Sequence, residues 1–374
     1  MGRSSLWLRD HCRCAKCYNS RTHQRKEGII QTSPPKIVSA TVSSREKNVY
    51  YITISWSDGH VSEYSMDFLI DGSKKSAVES WSEAYSKRVP WLPTNLPQAN
   101  LARIDVGSLR DRELALKSRH SILESLWKYG IAYITEVQPM EDDTTKAVEE
   151  IAPIMKTTYG ELHAFEADLK RADTAYTDEA IGPHTDGTYM TEAPGLQVFH
   201  CFLHDGQGGE NTLVDGLQIF NSFSQLYPRE AELLRQKALP AEYIEGNSER
   251  NPKYPEVMNH FWNEDFTFKF DPITRKDLMQ IRFNPYDRAP YPYEDATDIE
   301  KLYQAYGKLT SMIYDPLFHL TFKLSPGTVV LIDNWRVLHA RNSYTGRRVM
   351  ASGYIARGEY LSQLRVRGIV PQHV

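Results

Sequence analysis

Cysteine is scarce in this chain, four residues in 374, and three of the four, Cys12, Cys14 and Cys17, fall within six consecutive positions. A disulfide framework spaces its cysteines differently, so an intracellular protein is expected. Long apolar runs are missing too. No stretch approaches about 18 consecutive apolar residues, which argues against a membrane-spanning helix, and the opening MGRSSLWLRDHCRC has no apolar signal core. Trp7 and Leu8 already read as strand residues. So little precedes them that a targeting segment is expected to be absent from this chain, and the cytoplasm is favoured over the mitochondrion for the chain as it stands. Positive charge is not in excess. A formal net charge of -4 excludes a protein that binds nucleic acid by neutralising many phosphates, and it points to a small-molecule partner. There is no glycine-rich phosphate loop and no internal repeat.

What is present is the composition of an ordinary globular protein, 41% hydrophobic and 25% charged, with a length that suggests two domains. Residues 28–70 carry short alternating runs, KIVSATV, VYYITISW and HVSEYSM, with Asp58-Gly59 as a turn. This pattern predicts a small antiparallel sheet. The proline-rich segment 89–97 resists both helix and central strand. It separates a small N-terminal β domain, residues 1–90, from a larger domain, residues 98–374. The larger part opens with a helical pattern, LRDRELALKSRHSILESLWKYG, in which Gly130 suits the cap. A buried strand over 131–134 and a second helix over about 143–155 follow. Beyond Tyr176 come GLQVFHCF, NTLVDG, FTFKF, LMQIRFN, GTVVLIDNW and RRVMASGYIA, interrupted by helical stretches near 217–236 and 296–313. Short strands with helices in front and inserted mid-chain predict a mainly β fold, a double-stranded β-helix or jelly roll, rather than a doubly wound sheet.

His184-Thr185-Asp186 places two metal ligands two positions apart, which on an extended strand puts both side chains on one face. His339, in Asp333-Asn334-Trp335-Arg336-Val337-Leu338-His339, completes a set of two histidines and one carboxylate. Such a facial triad leaves positions on iron(II) open for O2 and a cosubstrate. The pair alone is weak, because 12 histidines and 48 acidic residues give about 1.5 such spacings by chance. Its surroundings weigh more. Gly182-Pro183 precedes it, a strand follows, His339 stands just past the apolar TVVLID, and Arg348 comes nine positions after His339. A dicarboxylate such as 2-oxoglutarate, chelating iron through its keto acid end, needs its far carboxylate anchored by a guanidinium. Arg348 is the candidate, with Arg347 and Arg341 next in line, and Thr212, after the Gly208-Gly209 turn, offers an assisting hydroxyl. The plain alternative, two satisfied core histidines and a surface arginine, requires these features to coincide by accident.

Cys12, Cys14 and Cys17 offer three thiolates in one tight turn, one ligand short of a closed tetrahedral zinc site. His60 is the best fourth ligand. Adjacency to Cys12 makes His11 an awkward substitute. Zinc there would be structural, tying the opening turn to the sheet; three free thiols in a reducing compartment are the alternative.

Four stretches carry a further signal: Trp7-Leu8-Arg9-Asp10-His11-Cys12 with Cys17-Tyr18-Asn19; Thr22-His23-Gln24-Arg25; Asp173-Thr174-Ala175-Tyr176-Thr177 leading to HTDGTY; and IDNWRVLHARNSYTG. With them, nearly the whole chain resembles the trimethyllysine dioxygenase and gamma-butyrobetaine dioxygenase family of taurine dioxygenase-like 2-oxoglutarate oxygenases, the trimethyllysine branch more nearly. The resemblance implies iron on His184, Asp186 and His339, 2-oxoglutarate on Arg348 with Thr212, and zinc in the small domain. It also implies an oxidoreductase that consumes O2 and 2-oxoglutarate, releases succinate and carbon dioxide, takes ascorbate as reductant, and forms a homodimer.

For the substrate, the resemblance implies aromatic rings around a quaternary ammonium, since ring faces attract a cation that cannot donate hydrogen bonds. Tyr159, Tyr176 and Tyr354 match cage positions, Asp173 matches a position facing the substrate amino group, and Asn284 lies at the substrate-binding strand. The chain departs from the pattern at His163, where tryptophan is expected, and at Pro285, where asparagine is expected. Histidine is smaller and, once protonated, repels a fixed cation. Two readings therefore stand side by side: hydroxylation of N6-trimethyllysine, as in carnitine biosynthesis, or hydroxylation, desaturation or ring closure of another amino acid. A jelly-roll binding protein without activity is disfavoured by the complete triad with Arg348.

Overall fold

The computed structural model describes residues 4–26, 28, 32–33, 35–46, 49–74, 76–96, 100–166, 177–245, 259–291 and 296–372. Asp173 and Tyr176 lie outside the described residues. The chain divides into two compact units, Met1–Ser80 and Trp81–Val374. Among the described residues no helix is long and apolar enough to cross a membrane.

In the first unit the alternating runs form an antiparallel sheet of Ile37–Glu46, Val49–Trp56 and Val61–Ser65. Gly59, at φ +79°, takes the left-handed conformation that the turn requires. Alternation sends Ile54, Trp56 and Tyr64 into a core shared with Leu8, Phe68 and Leu69. Trp7 and Leu8 are not strand residues. They lie in a helix, Ser5–Asp10, because Ser4 accepts the Trp7 N–H at 3.1 Å as its N-cap. The Tyr64 hydroxyl donates to the Leu8 carbonyl and ties that helix to the sheet.

The second unit is a jelly roll. One sheet has the order Arg103–Asp105, Ile131–Thr135, Val329–Asp333, Leu196–His204, Arg348–Ile355, His163–Phe165; the other has Leu320–Phe322, Asn211–Asp215, Val337–Arg341, Ile181–His184. Period-two alternation divides their side chains between two cores. Ile131, Tyr133, Val330 and Ile332 meet Leu213 and Val337 of the other sheet, so this core lies between the sheets. Ala132, Ile134, Val329 and Leu331 point outward and pack under Ile122, Leu126 and Trp127 of the helix Ala115–Tyr129. Gly130 ends that helix at φ +78°.

A third core covers the outer face of the four-stranded sheet. There Val214 and Leu338 pack against the helices Gly216–Leu226, Pro228–Gln236 and Ala296–Ile313. Pro228 opens the second of these, splitting the expected 217–236 helix in two. The helix expected over 143–155 is Glu141–Glu149, stopping short of Pro153. Of the proline-rich segment, residues 89–96 pack within this unit: Trp91 is 1% exposed and its indole N–H donates to the Tyr129 carbonyl at 2.8 Å.

Candidate functional site

Four consecutive residues pin the chain ahead of His339. Asp333 accepts from Arg357 at 3.0 Å, and the Trp335 indole donates to the Ala193 carbonyl at 2.9 Å. Asn334 donates to the carbonyls of Asp186 and Pro194, each at 3.0 Å, and accepts the Asp186 N–H at 2.8 Å. Arg336 forms a two-pronged pair with Asp215 at 2.8 and 2.9 Å, fully buried, and donates further to the Lys128 and Val89 carbonyls. Removing either partner strands a buried charge, at a cost of about 3–5 kcal/mol. With the segment held, His339 falls opposite His184 on the neighbouring strand. The strand expected to run through Asp186 stops at His184. The double hold of Asn334 on the Asp186 backbone, not strand pleat, places the carboxylate.

His184 Nε2 lies 3.2 Å and His339 Nε2 3.6 Å from Asp186 Oδ1, and the three ligand atoms lie within 4.8 Å of one another. Ligands set at right angles about 2.1 Å from an ion are about 3 Å apart, so the set fits one divalent metal. The His184 Nδ1–H donates to the Gly182 carbonyl at 2.9 Å, which leaves its Nε2 as the lone-pair nitrogen. Burial pulls the His339 imidazole down to about 4. Burial also opposes charge on His184, but the adjacent Asp186 carboxylate outweighs it and raises this imidazole. Asp186 is buried as well, yet the two imidazoles and the Tyr354 hydroxyl hold its carboxyl far below the usual range. An ionised carboxylate and neutral imidazoles are the metal-binding forms.

The triad opens on a cavity of about 480 Å³. Arg348 lines it at 6% exposure, with the Tyr344 ring 5.4 Å away and no hydrogen bond or ion pair among the described residues. Burial and the nearby Arg341 bring its guanidinium down to about 10, so it stays charged at neutral pH. A buried cation on a cavity wall, with no anionic partner of its own among the described residues, is a fit for a carboxylate. The other candidate arginines are engaged: Arg341 donates to the Thr177 carbonyl at 2.8 Å, and Arg347 pairs with Glu166 at 2.8 Å.

Thr212 does not reach this cavity. Pairing sets Leu213 opposite His339, so alternation turns Thr212 to the other face, where its hydroxyl meets that of Thr321 at 3.0 Å. Asn211, on the His339 side, lines the cavity in its place.

Tyr159, His163, Asn284 and Tyr354 all line the cavity. Asn284 is held by donating to Asp287 at 2.8 Å and accepting from the Tyr286 N–H at 2.9 Å. His163 pairs with Ser352 at the sheet edge, 6.0 Å from the Phe165 ring. Sequence reasoning missed two further rings. Tyr189 stacks on Tyr243 at 5.0 Å, Tyr159 lies 5.8 Å from Tyr243, and the hydroxyls of Tyr159 and Tyr189 are 3.1 Å apart. Tyr189 closes the motif HTDGTY, a sequence signal for its neighbourhood; Tyr243 carries none.

In the first unit, His60 Nε2 lies 3.4, 3.6 and 3.7 Å from the sulfurs of Cys12, Cys14 and Cys17, all four atoms within 4.8 Å of one another. Tetrahedral zinc, with Zn–S about 2.3 Å and Zn–N about 2.0 Å, sets sulfur and nitrogen about 3.5 Å apart. The cysteines are free, and the Cys17 and Tyr18 N–H groups both donate to the Cys14 carbonyl, closing the turn. His11 is engaged elsewhere, its Nδ1 2.9 Å from the Trp7 carbonyl and its ring stacked on Trp7.

The family model for taurine catabolism dioxygenase TauD, TfdA family, matches residues 96–354, and that for gamma-butyrobetaine hydroxylase-like, N-terminal, matches residues 3–70. The chain is 36% identical to the mitochondrial trimethyllysine dioxygenase of Mus musculus, over 97% of this chain and 82% of that protein. It is 25% identical to the gamma-butyrobetaine dioxygenase of Homo sapiens, over 97% of this chain and 90% of that protein. Among solved structures, a taurine dioxygenase from Burkholderia xenovorans aligns with a TM-score of 0.49 at 14% identity, covering 68% of this chain and 85% of that one. A match over most of the chain, together with the extended likeness to the mouse enzyme, establishes what the motifs suggested: this chain belongs to the taurine catabolism dioxygenase TauD, TfdA family.

Proposed function

We propose that this chain is an iron(II)- and 2-oxoglutarate-dependent dioxygenase that hydroxylates free N6-trimethyllysine. The observation that carries the reading is that one cavity joins the His184, Asp186 and His339 set, the uncompensated Arg348, and the rings of Tyr159, Tyr189 and Tyr243. The substrate is inferred from relatives bearing the name trimethyllysine dioxygenase, at 36% identity over 97% of this chain in the mouse case. Iron, when bound by the three ligands, supplies the activation of O2 at the expense of 2-oxoglutarate.

The chain's own residues do the rest. Arg348 takes the far carboxylate of the cosubstrate and Asn211 assists, fixing its orientation. Tyrosine ring faces attract the ammonium end of the substrate. Leu213, Val330, Ile332 and Met350 give the cavity an apolar wall that limits water around the reacting carbon. Cys12, Cys14, Cys17 and His60 hold a structural zinc. We further infer an intracellular, cytoplasmic site of action and a homodimer; cell fractionation and light scattering on the purified chain test these two in turn.

His163 favours a second reading. It lines the cavity where the resemblance expects a tryptophan, and an imidazole offers a hydrogen-bonding edge in place of a broad ring face. Another amino acid, with a hydrogen-bonding end, would suit it. Succinate release by the iron-loaded chain with 2-oxoglutarate, comparing N6-trimethyllysine with unmethylated amino acids and weighing the products, separates the two. Turnover of trimethyllysine with a gain of one oxygen supports the first. Turnover only of another amino acid, or a product without added oxygen, means the cage has been rebuilt.

A further inference from the structure

Tyr354 does more than wall the cavity. Its hydroxyl donates to Asp186 Oδ2 at 2.9 Å, while Asp186 Oδ1 faces the Nε2 atoms of His184 and His339 at 3.2 and 3.6 Å. The two carboxylate oxygens are therefore divided between a tyrosine and the metal-facing imidazoles. Tyr354 is itself fixed, paired with Gln197 in the sheet and accepting the Met155 N–H on its carbonyl at 2.7 Å. The second oxygen of Asp186 is thus referenced to a sheet rather than to a loop. Rotation about the last bond of an aspartate is soft. Left to itself, the carboxylate could turn both oxygens toward an ion and occupy a position that cosubstrate or O2 requires.

We propose that the Tyr354 hydroxyl is a positioning group for the metal-binding carboxylate: it reserves Asp186 Oδ2, so that Oδ1 alone is presented with the two histidines. One side chain then serves both the substrate wall and the orientation of a metal ligand. The inference rests on the triad reading above.

The test compares the full chain with Tyr354→Phe, which keeps the ring, and His184→Ala. Each is titrated anaerobically with Fe(II) in the presence of 2-oxoglutarate, and the ratio of succinate to oxidised substrate is then measured in air. Tyr354→Phe is expected to weaken Fe(II) binding about 10- to 100-fold, the range seen when partners of metal ligands are removed. It should also release succinate in excess of product, with substrate KM and melting temperature little changed. Unchanged Fe(II) affinity and unchanged coupling overturn the proposal, as does a raised substrate KM at full Fe(II) affinity, which would make Tyr354 a cage wall only. His184→Ala reports on the triad separately: normal Fe(II) binding by that variant overturns the triad reading itself, and this inference with it.

Discussion

Arg348 carries its charge at 6% exposure, with an aromatic ring at 5.4 Å as the neighbour it faces. Desolvation of that kind is tolerated where an anion arrives to offset it. Arg348→Ala is therefore expected to raise the KM for 2-oxoglutarate about 10- to 100-fold, the worth of hydrogen bonds to a charged group, while Fe(II) binding without cosubstrate is unchanged. The neighbouring strand sharpens the expectation. Asn211→Ala should raise the same KM about fivefold and Thr212→Val should leave it alone, since only the first lines the cavity. Steady-state kinetics on the two variants decide between them, and the reverse ranking would mean that the strand register differs from that seen here. The triad was readable because its spacing and the DNWR segment before His339 are local in sequence. Thr212 was misassigned because a single position on a strand exchanges the two faces, and the pairing of Leu213 with His339 that fixes the face is not a local property. Tyr243 was invisible for a related reason: only the fold brings it to Tyr159 and Tyr189.

Among the elements, those with a clear period were legible. The helix Ala115–Tyr129 and the buried strand after it follow from apolar spacing alone, and so do the strands Leu196–His204 and Val329–Asp333. The N-terminal helix was not. Trp7 and Leu8 favour strands only weakly, and the cap from Ser4 with packing against Phe68 overrides that preference. Gly130 offers a test of how tightly one element seats the next. Its φ of +78° disfavours any side chain, and an added Cβ would stand 2.5 Å from Val337 Cγ2, on the strand that carries His339. Gly130→Ala should cost about 2–4 kcal/mol, from left-handed strain plus overpacking. Pairing it with Val337→Ala should recover the overpacking part. Denaturant unfolding checks both; a neutral Gly130→Ala would show that the helix end and the strand yield to one another more freely than their contact implies.

At the scale of the whole chain, the two units differ in how they can be stable. Trp81–Val374 has three extensive cores, while the buried apolar cluster of the sheet in Met1–Ser80 comprises Ile54, Trp56 and Tyr64 among the described residues. So small a core supplies only a few kcal/mol against chain entropy, and small units of this kind usually depend on a staple. The Cys12, Cys14, Cys17 and His60 cluster is placed to be one, since it joins the opening turn to the residue just ahead of the strand Val61–Ser65. Removing zinc with a strong chelator is expected to strip hydrogen-exchange protection from Val49–Trp56 while Leu196–His204 stays protected, and Cys14→Ser should reproduce the effect without chelator. Zinc content and exchange, measured on the same sample, decide the matter. Full protection of Val49–Trp56 in zinc-free protein would mean that the sheet stands on its own core and that the cluster has some role other than holding the fold.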